Sequence, residues 1–184
     1  TGGKFLPMLT SLFPAGEPCI AILHTPELVV PLKRDYRFTT IMDCFHGVYD
    51  RGTPIPFTLP ADAQIRRLDA SHVDFVHANY RTIDDIGYVR ERISEGMFGV
   101  FFGGDCAGFV GTHEERTIGL LYILPKYRRL GLAFALEAAM TNFLLSQGRQ
   151  PFCQVAVGNE PSLALQRKLG FELSEDVIYW LGRN

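Results

Sequence analysis

The stretch LPKYRRLGLA, residues 124–133, joins an apolar strand-like run to a run rich in Ala and Leu. Its residue types suit one task, the holding of a phosphate. The first turn of a helix leaves backbone N–H groups unsatisfied and carries the positive end of the helix dipole, so one anion can take several amides at once. Gly131 lets the backbone come close to a ligand, Ala133 keeps the first turn clear, and Arg128 and Arg129 put positive charge at the mouth. The spacing is not that of a Walker loop, which needs GxxxxGK followed by Ser or Thr, nor of a GxGxxG dinucleotide loop. Taken alone, it also fits a turn with two solvated arginines.

A phosphate loop needs a strand before it and a helix after it, and the flanking pattern predicts both. TIGLLYIL reads as a strand, and LAFALEAAMTNFLLSQG, dense in Ala and Leu and closed by Gly148, as the strongest helix in the chain. Upstream, QIRRL alternates like a strand. DASHVDFVHANY opens with an Asp or Ser cap, and TIDDIGYVRERISEG with a Thr or Asp cap, the latter ending at Gly96. MFGVFFGGDCAGFVGTH predicts a hairpin around Gly103-Gly104-Asp105. Downstream come strand FCQVAV, helix EPSLALQRKLG and strand DVIYWLG. The order from residue 63, β-α-α-β-β-β-α-β-α-β, is a mixed α+β layout around a central sheet.

The first third differs. Pro14, Gly16, Pro18, Pro26 and Pro31 separate short apolar runs, CIAILHT and LVVPL, read as strands, and a helix or strand follows over Thr40–Tyr49. RGTPIPFTLP has linker composition, because each Pro disfavours helix at the residue before it. The expected division is therefore a β-rich region over 1–60 and a second domain over 61–184.

The loop reads RxxGxA, and NEPSLALQRKLGF follows from Asn159. The first resembles the acyl-CoA pyrophosphate loop of the GNAT superfamily of N-acyltransferases, and the second resembles that family's Asn-helix-Lys-x-Gly-Phe signature. Order, separation and element sequence agree over residues 63 to about 181, and the wording leans toward the glycine-N-acyltransferase-like branch. The resemblance implies the GNAT fold: a mostly antiparallel twisted sheet flanked by helices and splayed at the acyl-CoA slot. It also implies acetyl-CoA or another acyl-CoA as co-substrate, with residues 1–60 as a degenerate second half. Carried over by position, the backbone of Leu121, Tyr122 and Ile123 pairs with the pantetheine arm. The amides from Arg129 through Leu130, Gly131, Leu132 and Ala133 to Phe134 take the pyrophosphate. Asn159 bonds the pantetheine or caps the next helix, and Ser162 and Leu165 lie along the CoA side of that helix.

One position departs from the family. Many members carry a Tyr four residues before the Gly of the Lys-x-Gly-Phe turn, where it protonates the leaving thiolate; here Gln166 stands there, and an amide releases no proton usefully. The attacking amine must lose its proton to a base. The candidates are His113, Glu114, Glu115 and Tyr122; His113 titrates near neutrality, and the two glutamates also fit a polar turn.

Composition narrows the function classes. A net charge of −2 with 21% charged residues gives no basic face for nucleic acid. No apolar run approaches the ~18 residues of a membrane span. TGGKFLPML lacks the basic-then-apolar design of a signal peptide. Cys19, Cys44, Cys106 and Cys153 form no CxxC pair, so reduced thiols in the cytoplasm are expected, with no metal site. The expected protein is a monomeric or homodimeric acyltransferase, moving acetyl to a primary amine of a small molecule by direct attack. The alternative is a non-catalytic acyl-CoA-binding or sensing module.

Overall fold

The structure, a computed structural model, describes Met8 and residues 17–183. Pro14, Gly16 and the stretch read for a targeting signal lie outside the described residues, Met8 apart. In chain order the elements are β1 (Cys19–Leu23), α1 (Val29–Tyr36), β2 (Thr39–Val48), β3 (Ala63–Arg67), α2 (Val73–Asn79), α3 (Ile86–Gly96), β4 (Phe98–Phe102), β5 (Asp105–Thr112), β6 (Ile118–Ile123), α4 (Leu132–Ser146), β7 (Phe152–Ala156), α5 (Glu160–Leu169), β8 (Glu172–Leu173) and β9 (Ile178–Arg183). The described residues group into two compact units, one of residues 17–46, 155–163 and 173–183, the other of 47–154 and 164–172. This grouping differs from a boundary near residue 60, because residues 47–60 pack with the β3-to-β7 stretch of the chain.

In the first unit β9 lies between β1 and β2, antiparallel to both, with Leu23 opposite Tyr179 and Cys44 opposite Ile178. Its core is Leu32, Phe38 and Leu181, covered by Ala21, Leu23 and Leu28. The run LVVPL, expected as a strand, is helical. Pro26 opens a short 3-10 turn and Pro31 falls in the first turn of α1, where a helix makes no use of the missing N–H. Helix α1 stops at Arg37, whose left-handed φ of 59° turns its N–H back to the Leu32 carbonyl. The segment Thr40–Tyr49, open between helix and strand, is strand to Val48.

In the second unit the sheet runs β7-β6-β5-β4-β3, antiparallel except for the parallel β6–β7 pair. Residues Ala107–Gly111 of β5 are all buried, so helices cover both faces of this strand. Val73, Val76, Val89 and Ile93 from α2 and α3 pack with Phe101, Phe109 and Leu120 of the sheet. Helix α4 packs on β4, β5 and β6 and is buried nearly all round, through Leu132, Leu136, Met140 and Leu144 among others. The expected caps resolve to Asp69, which caps a short 3-10 turn leading into α2, and Asp85 before α3, each accepting from a backbone N–H of the turn it opens.

RGTPIPFTLP has no regular structure, as its prolines predict, but it is anchored. The Asn142 side chain of α4 accepts from the Ile55 N–H at 2.7 Å and donates to the Ile55 carbonyl at 2.9 Å, and the Tyr49 hydroxyl donates to the Thr53 carbonyl. Ile55 is only 5% exposed, so water replaces those partners poorly. Asn142→Ala should lower stability by about 1–3 kcal/mol, read as a fall in the urea midpoint at unchanged slope. An unchanged midpoint would mean the anchor contributes nothing.

Candidate functional site

Strand β6 organises the site. It pairs with β7 at one position, Ile118 opposite Cys153, and among the described residues its remaining ladder partners all lie in β5. Against β5 its register shifts: Phe109 faces Tyr122 but Gly111 faces Gly119, so Leu120 and Leu121 stand against the single residue Val110. This is a β-bulge, and Leu120 carries it with a left-handed φ of 50°, costly for a branched side chain. Leu120 is only 1% exposed, so its packing holds the backbone there.

After β6 a 3-10 turn over Pro125–Tyr127 leads to Arg129 at φ 66° and Gly131 at φ 78°, the N-cap of α4. No side chain caps this helix, so its first amides remain open to a ligand. A side chain at Gly131 would meet only open space, which makes its positive φ the reason for glycine. The space is a cleft of about 570 Å³ lined by Phe57, Pro60, Leu130, Gly131, Phe134 and Lys168. The proline-rich segment forms one wall.

The two arginines of the loop have different fates. Arg128 turns back, its Nε donating to the Ile123 carbonyl at 3.1 Å and its guanidinium over the Tyr122 ring, so it braces the strand end. Arg128, Arg129 and Leu130 are all exposed, so the two arginines differ in their bonding and not in burial. Lys168, in the cleft wall, adds a cation that charge counting along the loop missed. Ala133 and Phe134 follow in the first turn, half-buried, and Leu132 is buried.

Of the expected catalytic residues, Tyr122 stacks on Phe109 at 5.9 Å and Glu114 is exposed in the turn after β5. His113 is different. Its Nδ1 lies 2.9 Å from the Tyr88 hydroxyl, and its ring lies so close over Gly119 that any side chain there would strike Cδ2 and Nε2. Burial pushes the His113 pKa down, opposed by Glu115 and aided by Arg92, so the ring is held toward its neutral form. Tyr80, its ring 6.5 Å from His113, is held near the Leu120 amide and Thr82. Sequence reading missed Tyr80, Tyr88 and Gly119; the one signal was that Tyr88 and Arg92 share a face of α3.

In the first unit Asn159 begins α5 as an N-cap, its Oδ1 accepting from the Ser162 N–H at 3.3 Å. Gln166, in the second unit, is 2% exposed and donates from Nε2 to Glu137 Oε1 at 2.6 Å. Leu165 beside it is half-buried. Glu137 escaped the sequence reading, hidden in an Ala/Leu-rich helix. It is 2% exposed, and burial raises its pKa to about 7, with the Gln166 amide pulling the other way. Its Oε2, the Gln166 Oε1 and the Thr141 hydroxyl have no protein partner, and the Cys153 thiol, raised chiefly by its own burial, is its titratable neighbour.

A carboxyl whose pKa rises on folding stabilises the protein at low pH, where both states are protonated. That contribution is lost as pH climbs from the ordinary carboxyl value to about 7. The loss is on the order of 3 kcal/mol. Glu137→Gln, which can pair its amide with that of Gln166, should remove this part of the dependence and stabilise the protein at pH 8. Denaturant midpoints at pH 5.5 and 8 check it; equal pH slopes for both proteins would refute a protonated Glu137.

Among the described residues no cluster of three or more His, Cys, Asp or Glu could hold a metal, all four cysteines are unpaired, and no helix is long and apolar enough to cross a membrane. Residues 104–181 match the sequence profile of the FR47-like protein family. The chain is 31% identical over 100 residues to an uncharacterized N-acetyltransferase, YdfB of Bacillus subtilis, covering 51% of this chain and 38% of that one. It therefore spans well under half the length of that relative. Among solved structures, a Drosophila protein superposes over 99% of this chain and 57% of its own with TM-score 0.71 at 19% identity. A putative GNAT-family acetyltransferase of Novosphingobium aromaticivorans covers 96% and 79% with TM-score 0.65 at 17% identity. Arabidopsis thaliana Naa50, solved with the bisubstrate analogue CoA-Ac-MVNAL, covers 67% and 99% with TM-score 0.51 at 16% identity. Residues 104–181 are thus similar in sequence to the FR47-like family, and the chain shares its fold with solved GNAT acetyltransferases.

Proposed function

We propose that the chain transfers an acyl group, acetyl first among candidates, from acyl-CoA to the primary amine of a small molecule by direct attack. The observation that carries this reading is β6: bulged at Leu120, paired with β7 only at Ile118, and running into the uncapped N-terminus of α4. Its free edge offers backbone to a pantetheine at Leu121 and Tyr122, whereas the Ile123 carbonyl is taken by Arg128. The amides from Arg129 to Phe134 take the pyrophosphate, with Lys168 as the nearby cation. Asn159, its Oδ1 engaged, would give its NH2 to the pantetheine, with Ser162 and Leu165 beside it as the resemblance implies. The strand amide polarises the thioester carbonyl as charge develops on oxygen, and His113 takes the amine proton.

On the same resemblance the chain falls in the glycine-N-acyltransferase-like branch, with residues 1–60 a remnant half of which β1, α1 and β2 survive. Four unpaired thiols suit the cytoplasm. A second reading, an acyl-CoA sensor without turnover, is favoured by Gln166, which is locked onto Glu137 where an acid would stand.

Calorimetry with acetyl-CoA and longer acyl-CoAs tests the cradle, and no binding by any of them would refute both readings. Gly131→Glu, which places a carboxylate before the open amides, should weaken binding by more than about tenfold. Gly131→Ala bears the same φ penalty without the charge and should lose far less affinity. Equal affinities for the Glu variant and the native chain would refute the pyrophosphate placement. Thiol release over an amine panel separates enzyme from sensor.

A further inference from the structure

The groups around His113 form a cluster with more parts than burial of one imidazole requires. Tyr88, from α3, places its hydroxyl 2.9 Å from Nδ1, and the Glu114 amide is held to the same phenol oxygen. Arg92, one turn along α3, lies 5.3 Å over the Tyr88 ring and is fixed by Glu91 and Glu95. Tyr80, closing α2, covers the ring from another side at 6.5 Å. Glu115, from the turn that carries His113, is the nearby carboxylate, and its side chain accepts from Thr117. Gly119 lacks the side chain that would keep the Nε2 edge off β6, and Leu120, the bulged residue, comes next. The ring is therefore gripped at Nδ1 while Nε2, with no protein hydrogen-bond partner among the described residues, faces the strand where the acyl group would lie.

We propose that Tyr88 is the positioning residue of this centre: its phenol oxygen accepts the His113 Nδ1–H, which leaves Nε2 as the bare nitrogen that takes the proton of the attacking amine. The partner of one imidazole nitrogen decides which of the two carries the proton. The inference rests on His113 being the base. As the amine nitrogen bonds to the acyl carbon, its proton passes to Nε2. The C–S bond then breaks, its electron pair leaves on sulfur, and the imidazolium returns the proton to the thiolate. One histidine thus serves as base and acid, and the balance needs nothing from Gln166.

The test uses the full chain. In 15N-resolved spectra of the histidine rings, with His113 assigned by its loss in His113→Gln, the neutral ring should carry its proton on Nδ1. A proton on Nε2, with the tyrosine donating, overturns the proposal whether or not an amine is known. Tyr88→Phe keeps the packing and removes the oxygen. It should blur the tautomer preference, lower kcat about 10- to 100-fold with KM for acetyl-CoA unchanged, and move the acid limb of the rate profile to lower pH. A His113→Gln variant with full turnover refutes the base reading itself. If that variant is dead while Tyr88→Phe keeps both its turnover and its pH profile, only the role of Tyr88 falls.

Discussion

The shape of the candidate site rests on β6 pairing with β7, among the described residues, at Ile118 and Cys153 alone. A parallel ladder normally continues, since each buried backbone group needs a partner. Here the strand keeps its antiparallel ladder to β5 and runs on past Ile118 with its other edge open. The bulge at Leu120 turns the backbone at that point, and the loop at its end delivers the chain to a helix with no cap. An open strand edge and an uncapped helix start are each unfavourable alone. Together they make one continuous surface of unmet hydrogen-bonding groups, which a long ligand with amides at one end and phosphates at the other would satisfy.

The rest of the second unit supports that surface. Arg128 bonds back to the last carbonyl of β6, so a residue expected to meet the ligand becomes part of the brace. Asn142 ties the proline-rich segment down and so fixes a wall of the cleft. The pair of Glu137 and Gln166 links α4, which begins after Gly131, to α5 through a buried 2.6 Å hydrogen bond. Orphaned oxygens on both residues are what a neutral acid facing an amide would satisfy reciprocally. A position expected to hold a proton donor holds an internal clamp in its place.

Most of the element pattern from residue 63 was legible, because its helices start after acidic caps or end near Gly and its strands are apolar runs bounded by turn residues. The failure came at LVVPL. β-branched residues around a proline look like a strand, yet in the first helical turn the proline costs nothing and the tertiary contacts of Leu32 win. The division of the chain was also hidden, since the strand that completes the first unit, β9, comes from the other end of the sequence. The loop and Asn159 each stood out by type and spacing. His113 stood out only as a titratable residue, and its partners Tyr80 and Tyr88 not at all.

By itself the sequence determined the strand-loop-helix that presents Gly131, the second signature from Asn159, and the absence of a tyrosine at 166. These are local matters of spacing and side-chain type. The tertiary structure alone decided which groups meet: that His113 lies on Gly119 with Tyr88 at its nitrogen, and that Gln166 faces a buried carboxyl 29 residues away. It also decided that Arg128, though exposed, bonds back to the Ile123 carbonyl. The reason is physical. Periodicity records which face of an element is buried, but the partner across the gap, the pKa that burial imposes and the bulge in a strand arise only when separate elements compete for the same space.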